Sequence, residues 1–503
     1  MPTASSQSTG HTSGPLSPPP PREPLAEPLL SQHEADPANE PSRPHGASCP
    51  NVGGGAAGST GGERQAGQAA KVLANLVNSG IGTSTVAMPL AVRKLGGGPT
   101  IGAMLLQATL GVLANHIISR ESARDDADSY HDLMRSRFGK WGGRAVALAQ
   151  VVNSLGKTVV WLIILADLIV GSSGGGGGLL PDLLRAAGHA DLAEGGAWYL
   201  RRWPWIVLLA VLATPAVSVR SLNKLSGVSM LGDIAVGLIA SAGVTLAVIA
   251  TRQGESHPIH WLPSMEAAGR HSGAGFAVEL VSVLPIMMGA AFTQNQINSV
   301  MDELRPYRQG LLDVTQAAAR MLTIAVFLTI GFSNCLVFGP DLKSDVLLNY
   351  SAASLEGLAP GQRALGLSAA VNFSFLINGL VSLPMYLWPY QRNLWAALPQ
   401  QSPEERMGDP SSFAITNIAS LAGCALVAVL VPSIWKPLKQ VGGTAVSCMA
   451  FVFPGLVAVR TTRNRASAQQ ERTGWDGALW VCGWLLVAVG LLQMAASIAS
   501  QFT

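Results

Sequence analysis

Apolar residues arrive in blocks along this chain. From Lys71 onward, stretches of Leu, Val, Ile, Ala and Phe alternate with short joints rich in Arg, Pro and Gly. At about 1.5 Å per residue, a helix of about twenty residues spans a bilayer core of about 30 Å. The pattern predicts eleven apolar spans, near 72–95, 99–119, 144–171, 204–219, 225–250, 274–299, 316–339, 364–390, 411–431, 439–459 and 475–499. The fourth is short and is expected to be tilted or irregular. The expected fold class is therefore an all-α polytopic membrane protein with eleven transmembrane helices.

Composition agrees. The 503 residues are 48% hydrophobic and only 13% charged, against roughly a quarter charged in soluble domains. That shortage excludes an ordinary soluble enzyme, and no catalytic constellation stands out. The net charge of +3 is small and scattered, which argues against nucleic acid as a partner. Five cysteines, Cys49, Cys335, Cys424, Cys448 and Cys482, are an odd number without metal-ligand spacing. Neither a disulfide framework nor a metal cofactor is expected.

Residues 1–70 differ from the rest, being rich in Pro, Ser, Gly and Ala, with the run Pro18 to Pro21. Such a segment buries too little apolar area to offset its chain entropy and is expected to be a disordered tail preceding a transmembrane domain at 71–500. It lacks the basic and apolar regions of a cleavable signal peptide. Glu27-Pro28-Leu29-Leu30 faintly resembles an acidic dileucine sorting signal, or is an accidental Leu pair. Loop Lys and Arg residues, such as the group from Arg120 to Arg144 and that from Arg460 to Arg472, favour a cytosolic N-terminus. The sequon Asn349-Tyr350-Ser351 then falls outside the cytosol.

Polar residues inside spans are the informative ones, because unwound backbone survives at membrane depth only inside protein or beside a watery cavity. Span one contains Asn75, Asn78, Ser79, Gly80, Gly82, Thr83, Ser84 and Thr85, followed by Pro89. This reads either as close packing through small residues or as a discontinuous helix. In the second case the freed carbonyls can hold a cation and the free N–H groups an anion. Span six is interrupted comparably from Pro285 through Gly289, Phe292, Thr293 and Gln294 to Gln296. Matching breaks in two five-helix halves are what an inverted-repeat transporter predicts, with substrate held between them. Span eight offers Asn372, Ser374, Asn378 and Ser382, either as oxygen ligands for Na⁺ or as interhelical hydrogen-bonding groups.

Ionisable residues inside spans are costly. Lys157 and Asp167 lie in span three, and Lys157 is deep enough to stand in for a metal ion. Asp233, Glu279 and Arg320 lie close enough to predicted span ends to reach the interface, where an interfacial role is expected.

The segment Asn75-Leu-Val-Asn78-Ser79-Gly-Ile-Gly82, running on to Met88-Pro89-Leu90-Ala91, resembles the first helix of the amino acid/auxin permease family. Ser129-Tyr130-His131-Asp132-Leu133 with Phe138-Gly139-Lys140-Trp141-Gly142 matches a family loop expected just before span three. Met301-Asp302-Glu303-Leu304, Leu383-Pro384, Val441-Gly442-Gly443-Thr444 and Phe453-Pro454 follow in the family's order. The resemblance covers about 71–500. It implies a LeuT-type fold, a 5+5 inverted repeat plus one helix, and secondary active transport of amino acids driven by Na⁺ or H⁺. The most similar subgroup is the sodium-coupled neutral amino acid transporters.

The same resemblance implies that Gly80, Gly82, Thr83 and Ser84 face the substrate's carboxylate, while Phe292, Thr293 and Gln294 belong to the second break. Asn78 and Ser382 match positions that bear on sodium binding. Two departures stand out: the first-helix Gly-x-Gly has become Gly82-Thr83-Ser84, and Gln294-Asn295 replaces a frequent His-containing pair. With no fixed charge on either broken helix, neutral, small amino acids are the expected substrates. The expected membrane is the plasma membrane or a vacuolar or lysosomal one. Two alternatives are an amino acid sensor, or transceptor, signalling to protein partners through the tail, and a channel or non-transporting relative.

Overall fold

In an apolar surround each backbone N–H and C=O has to be paired within its own segment, so long apolar runs become helices. The computed structural model describes residues 58–80, 82–171, 177–194, 197–218, 229–263, 273–304, 307–398, 410–467 and 474–502. The Pro-rich tail to residue 57, with its dileucine sequence, lies outside them. The principal helices are α1 (Gly58–Gly80), α2 (Ser84–Leu95), α3 (Gly97–Asp125), α4 (Tyr130–Val170), α5 (Arg202–Ser218), α6 (Ser229–Gln253) and α7 (Gly273–Ala291). They continue with α8 (Ile297–Glu303), α9 (Gln309–Phe338), α10 (Gln362–Ala397), α11 (Pro410–Leu430), α12 (Trp435–Val441), α13 (Phe453–Ser467) and α14 (Gly474–Ala499). Between α12 and α13 the helix widens into π-helical turns over Gly442–Val446 and Cys448–Val452.

Among the described residues, eight helices are long and apolar enough to cross a membrane. The fourth expected span, α5, is short, as its sequence suggested. Spans one and six are each divided, giving α1 with α2 and α7 with α8. The expected loop before span three is instead the start of α4. Ser129 caps that helix by accepting from the Asp132 amide at 3.1 Å. A kink at Gly139, with φ +67° and ψ −163°, sets this first part at an angle; a side chain there would be strained.

Large apolar side chains such as Leu106, Val211, Leu430, Trp480 and Leu492 are exposed on the outer face. Polar ones such as Asn115, Thr158, Gln294 and Asn334 are buried. This reversal of the soluble pattern places lipid outside and polar chemistry within. Small residues allow close crossings. A Cβ on Gly455 of α13 would lie 2.5 Å from the Gly483 carbonyl oxygen of α14, and one on Gly442 would lie 2.5 Å from the Pro285 carbonyl of α7.

The ends of the bundle are tied by polar knots. At one end Glu121 of α3, 2% exposed, accepts from Arg124 at 2.6 Å, Arg137 at 2.9 Å and Thr461 at 3.1 Å. At the other, Asp167 pairs with Arg202 at 3.5 Å. Nearby Asp345 is buried in the connection between α9 and α10, and burial pushes its carboxyl up to about 8. The sequon lies in the same connection and its Asn349 is buried. The Asn349 amide donates to the Asp341 carbonyl at 2.9 Å and accepts from the Lys343 amide at 3.0 Å. A side chain held at both ends inside the fold has no room for a glycan, so the sequon does not support the orientation.

Candidate functional site

Span one breaks between Gly80 and Ser84. Gly82 lies in the bend, and Thr83, in the N-cap position of α2, makes no capping hydrogen bond with its side chain. The Thr85 amide donates to the Gly82 carbonyl at 3.0 Å, closing the first turn. Thr83, Ser84 and Thr85 are all buried. The extra hydroxymethyl of Ser84 is accommodated by the other broken helix: a Cβ on Gly289 of α7 would lie 2.5 Å from the Ser84 Oγ. Ser84 and Gly289 are thus a matched pair where the two broken spans meet.

Span six breaks after Ala291. Phe292 and Thr293 leave the helix, Gln294–Gln296 make one 3₁₀ turn, and α8 follows. Gln294 is fully buried and its Oε1 accepts from the Thr293 amide at 3.1 Å. The Thr293 hydroxyl oxygen accepts from Asn115 of α3 at 3.0 Å and from Arg320 of α9 at 3.1 Å. Just upstream, Gln107 of α3 donates to the Leu284 carbonyl at 3.0 Å, so α3 supports the distorted stretch from both sides.

A small cavity joins the two breaks. Gly80 and Thr293 line it from the broken helices, and Gln316, Arg320 and Thr323 from α9. The expectation that Arg320 reaches the interface is corrected here. Because α9 starts at Gln309, Arg320 lies three turns inside it, 4% exposed, against the Thr293 hydroxyl. Gln316, Ala319, Arg320 and Thr323 form an i, i+3, i+4, i+7 stripe on one helix face. That spacing was available in the sequence as a polar stripe within an apolar span. Asn115 and Gln107 gave no comparable signal, since their importance comes from the interruption they face.

Of the expected site residues, Gly80 and Thr293 line the cavity, while Gly82, Thr83, Ser84, Phe292 and Gln294 lie in or beside the breaks. Asn78 is in the last turn of α1, but its side chain lies outside the described residues. Ser382 turns its hydroxyl onto its own helix, donating to the Asn378 carbonyl at 2.8 Å. The Lys157 ammonium lies 5.4 Å from the Tyr386 ring centroid, between α4 and α10 and away from the cavity lining. The side chains of Asp233 and Glu279 lie outside the described residues. Several buried polar atoms around the breaks make no hydrogen bond among the described residues: Thr85 Oγ1, Gln294 Nε2 and both amide atoms of Gln316. Groups of this kind are what a polar ligand pairs with.

Residues 65–500 match the family model described as transmembrane amino acid transporter protein. The chain belongs to this family. It is the amino acid/auxin permease family that the first helix resembles, and its members are multi-pass transporters, not enzymes. Amino acid transporter AVT6D of Arabidopsis thaliana is 23% identical over 80% of this chain and 88% of its own length. Vacuolar amino acid transporter 5 of Schizosaccharomyces pombe is 23% identical over 76% and 81%. Sodium-coupled neutral amino acid transporter 7 of Xenopus laevis is 22% identical over 82% and 85%. Among solved structures, MhsT in complex with L-phenylalanine is similar with a TM-score of 0.52, at 12% identity over 85% of this chain and 98% of that one. A manganese transporter mutant of Eremococcus coleocola gives 0.51, at 10% identity over 90% of both. These two are likenesses of fold alone, and that fold is the LeuT type.

Proposed function

We propose that the protein is a secondary active symporter that carries an amino acid between facing breaks in spans one and six, driven by a Na⁺ or H⁺ gradient. The observation that carries this reading is the small cavity between the two breaks, lined by Gly80, Thr293 and Gln316, the last with both buried amide atoms lacking a partner among the described residues. The start of α2, with no side-chain cap, offers N–H groups to the substrate carboxylate. The carbonyl end of α1 at Gly80 suits its ammonium or a cation. Gly80, Gly82, Thr83, Ser84, Phe292, Thr293 and Gln294 form the proposed substrate site, and Asn78 and Ser382 the proposed cation ligands.

In this reading the chain crosses the membrane eleven times. Two five-helix halves open with the broken spans, α14 stands last, and rocking of the halves alternates access. Residues 1–70 form a cytosolic tail ahead of the transporter domain at 71–500, the end of that tail, from Gly58, running directly into the domain as the start of α1. Kinship with a vacuolar relative supports a vacuolar or lysosomal address beside the plasma membrane. Radiolabelled amino acid uptake into proteoliposomes, with Na⁺ and H⁺ gradients imposed separately, tests the proposal. Accumulation under one gradient is expected; none under either refutes symport. The expected preference for neutral substrates rested on the absence of fixed charge on the broken helices, and Arg320 now supplies one from α9.

A further inference from the structure

Of the chain's nine histidines, His116 is the one inside an expected span, the second. An ionisable side chain in a membrane span is costly and marks a pathway for ions or protons. We propose that His116, oriented by Asp313, is the proton-binding group of the transport cycle, taking up and releasing H⁺ at its Nε2. The inference rests on the symport reading and makes the coupling ion H⁺ rather than Na⁺.

Three observations carry it. First, a carboxylate holds the imidazole: Nδ1 of His116 on α3 lies 2.8 Å from Oδ2 of Asp313 on α9. Gln309, one turn before Asp313, completes the cluster. Its Nε2 donates to Ser119 Oγ at 2.8 Å and to Asp313 Oδ1 at 3.0 Å, and its Oε1 accepts from the Tyr307 hydroxyl. Those two bonds use both amide hydrogens, so the 3.2 Å approach of Gln309 Nε2 to His116 Nδ1 is a contact only, and Nδ1 carries the hydrogen that Asp313 accepts. Second, this tautomer leaves a lone pair on Nε2, which makes no hydrogen bond among the described residues. Third, the pair is both reachable and close to the substrate site. The two side chains are 35% and 25% exposed. Gln316, three residues after Asp313 and on its helix face, lines the cavity, and Asn115, next to His116, bonds Thr293 of the second break at 3.0 Å.

Proton binding turns the neutral imidazole into an imidazolium, with the new N–H on Nε2 and the new charge beside the Asp313 carboxylate. Release returns the proton to water and leaves the carboxylate as the single charge of the pair. An imidazole ordinarily titrates near ~6.5, so loading and unloading fall within about pH 5 to 8. The other titratable groups at this end are Tyr307 and Arg308 in the joint before α9 and Arg120, one turn further along α3. Glu121 is engaged by Arg124 and Arg137, Glu303 at the end of α8 accepts from Asn75 of α1 at 3.1 Å, and His131 on α4 pairs with its neighbour Asp132 at 3.4 Å. Asp313 is thus the carboxylate set against the His116 ring.

The full chain in proteoliposomes is assayed with a radiolabelled mixture of the proteinogenic amino acids, for accumulation under a pH gradient, for accumulation under a Na⁺ gradient, and for counterflow exchange, which needs no net proton movement. Wild type is expected to accumulate under the pH gradient without Na⁺, and its uptake to fall as pH rises through the imidazole range. His116→Gln is expected to flatten that profile and to lower pH-driven accumulation at least about ten-fold more than counterflow. Asp313→Asn, which keeps an acceptor for Nδ1–H but cannot answer the imidazolium charge, is expected to act in the same direction, and Asp313→Glu to restore much of the coupling. The aspartate variants also test the site where His116→Gln fails to fold. Accumulation driven by Na⁺ alone and indifferent to pH leaves symport standing and overturns the proton site. So does pH-driven accumulation that His116→Gln leaves intact. Equal losses of accumulation and counterflow in His116→Gln and Asp313→Asn assign the pair to the fold and overturn the proposal. No accumulation under either gradient refutes symport and its coupling together.

Discussion

Glu121 is the centre of a knot that joins four helices, and its coupling to Arg137 can be measured. Arg137, near the start of α4, donates Nη2 to Glu121 at 2.9 Å, and Nη2 and Nε to Asp125 at 2.6 Å each. Glu121 also holds Arg124 and Thr461. Arg465 of α13 approaches it at 3.9 Å and bonds Asp476 of α14 at 2.7 Å. Arg137→Met leaves a carboxylate of 2% exposure short of one cation. Removing one partner of a buried pair costs about 3–5 kcal/mol. The remaining bonds from Arg124 and Thr461 put the expectation near the lower end, at about 3 kcal/mol. Glu121→Gln is expected to cost a similar amount, since it leaves the guanidinium groups facing a neutral amide.

The double variant should lose less than the sum, with a coupling energy of about 1–3 kcal/mol. Denaturant titration of the detergent-purified protein, followed by tryptophan fluorescence, measures the four corners of the cycle. Raising salt from physiological to molar concentration should weaken the coupling only modestly, because buried pairs are screened little. A coupling energy within about 0.5 kcal/mol of zero would refute the reasoning, since the two residues would then stabilise the fold independently despite their 2.9 Å contact.

Other positions give shorter tests. Gly442→Ala drives a methyl group to 2.5 Å from the Pro285 carbonyl, a backbone atom that cannot swing aside, and should destabilise by about 1–3 kcal/mol. Gly423→Ala, with nothing within 4 Å of the added carbon, should stay within about 0.5 kcal/mol in the same unfolding assay. Asp345, raised to about 8 by burial, stays protonated in the folded chain where an unfolded carboxyl, titrating near ~4, has lost its proton. Its contribution is therefore full below pH ~4 and is lost as pH rises through about 8. Asp345→Asn should flatten this slope and be more stable than wild type at alkaline pH by over ~1 kcal/mol, because each pKa unit corresponds to ~1.4 kcal/mol. Asn349→Gln, expressed in a glycosylating cell, should leave electrophoretic mobility unchanged while lowering thermal stability, because it disturbs two buried hydrogen bonds and removes no glycan.

The helices and the two interruptions were legible because both are local properties of the chain. Apolar length dictates a helix in lipid, and a cluster such as Asn75 to Thr85 or Phe292 to Gln296 signals its failure within a few residues. What fills the space between the breaks was not legible from either segment, because Arg320 reaches Thr293 from a helix 27 residues further along the chain. Its distance from the start of an apolar run suggested snorkelling, but that argument fails when the helix begins earlier, at Gln309, and its polar stripe faces inward. Ser84 shows the same limit from the other side. As a single position it departs from a glycine pattern, and only the facing Gly289 shows that the lost space is recovered across the interface. Polarity along one helix therefore located the breaks, while the chemistry available to a substrate depends on residues that three helices bring to them. That is why the broken helices read alone carry no fixed charge, while the folded protein sets the buried Arg320 of α9 against Thr293 at the second break.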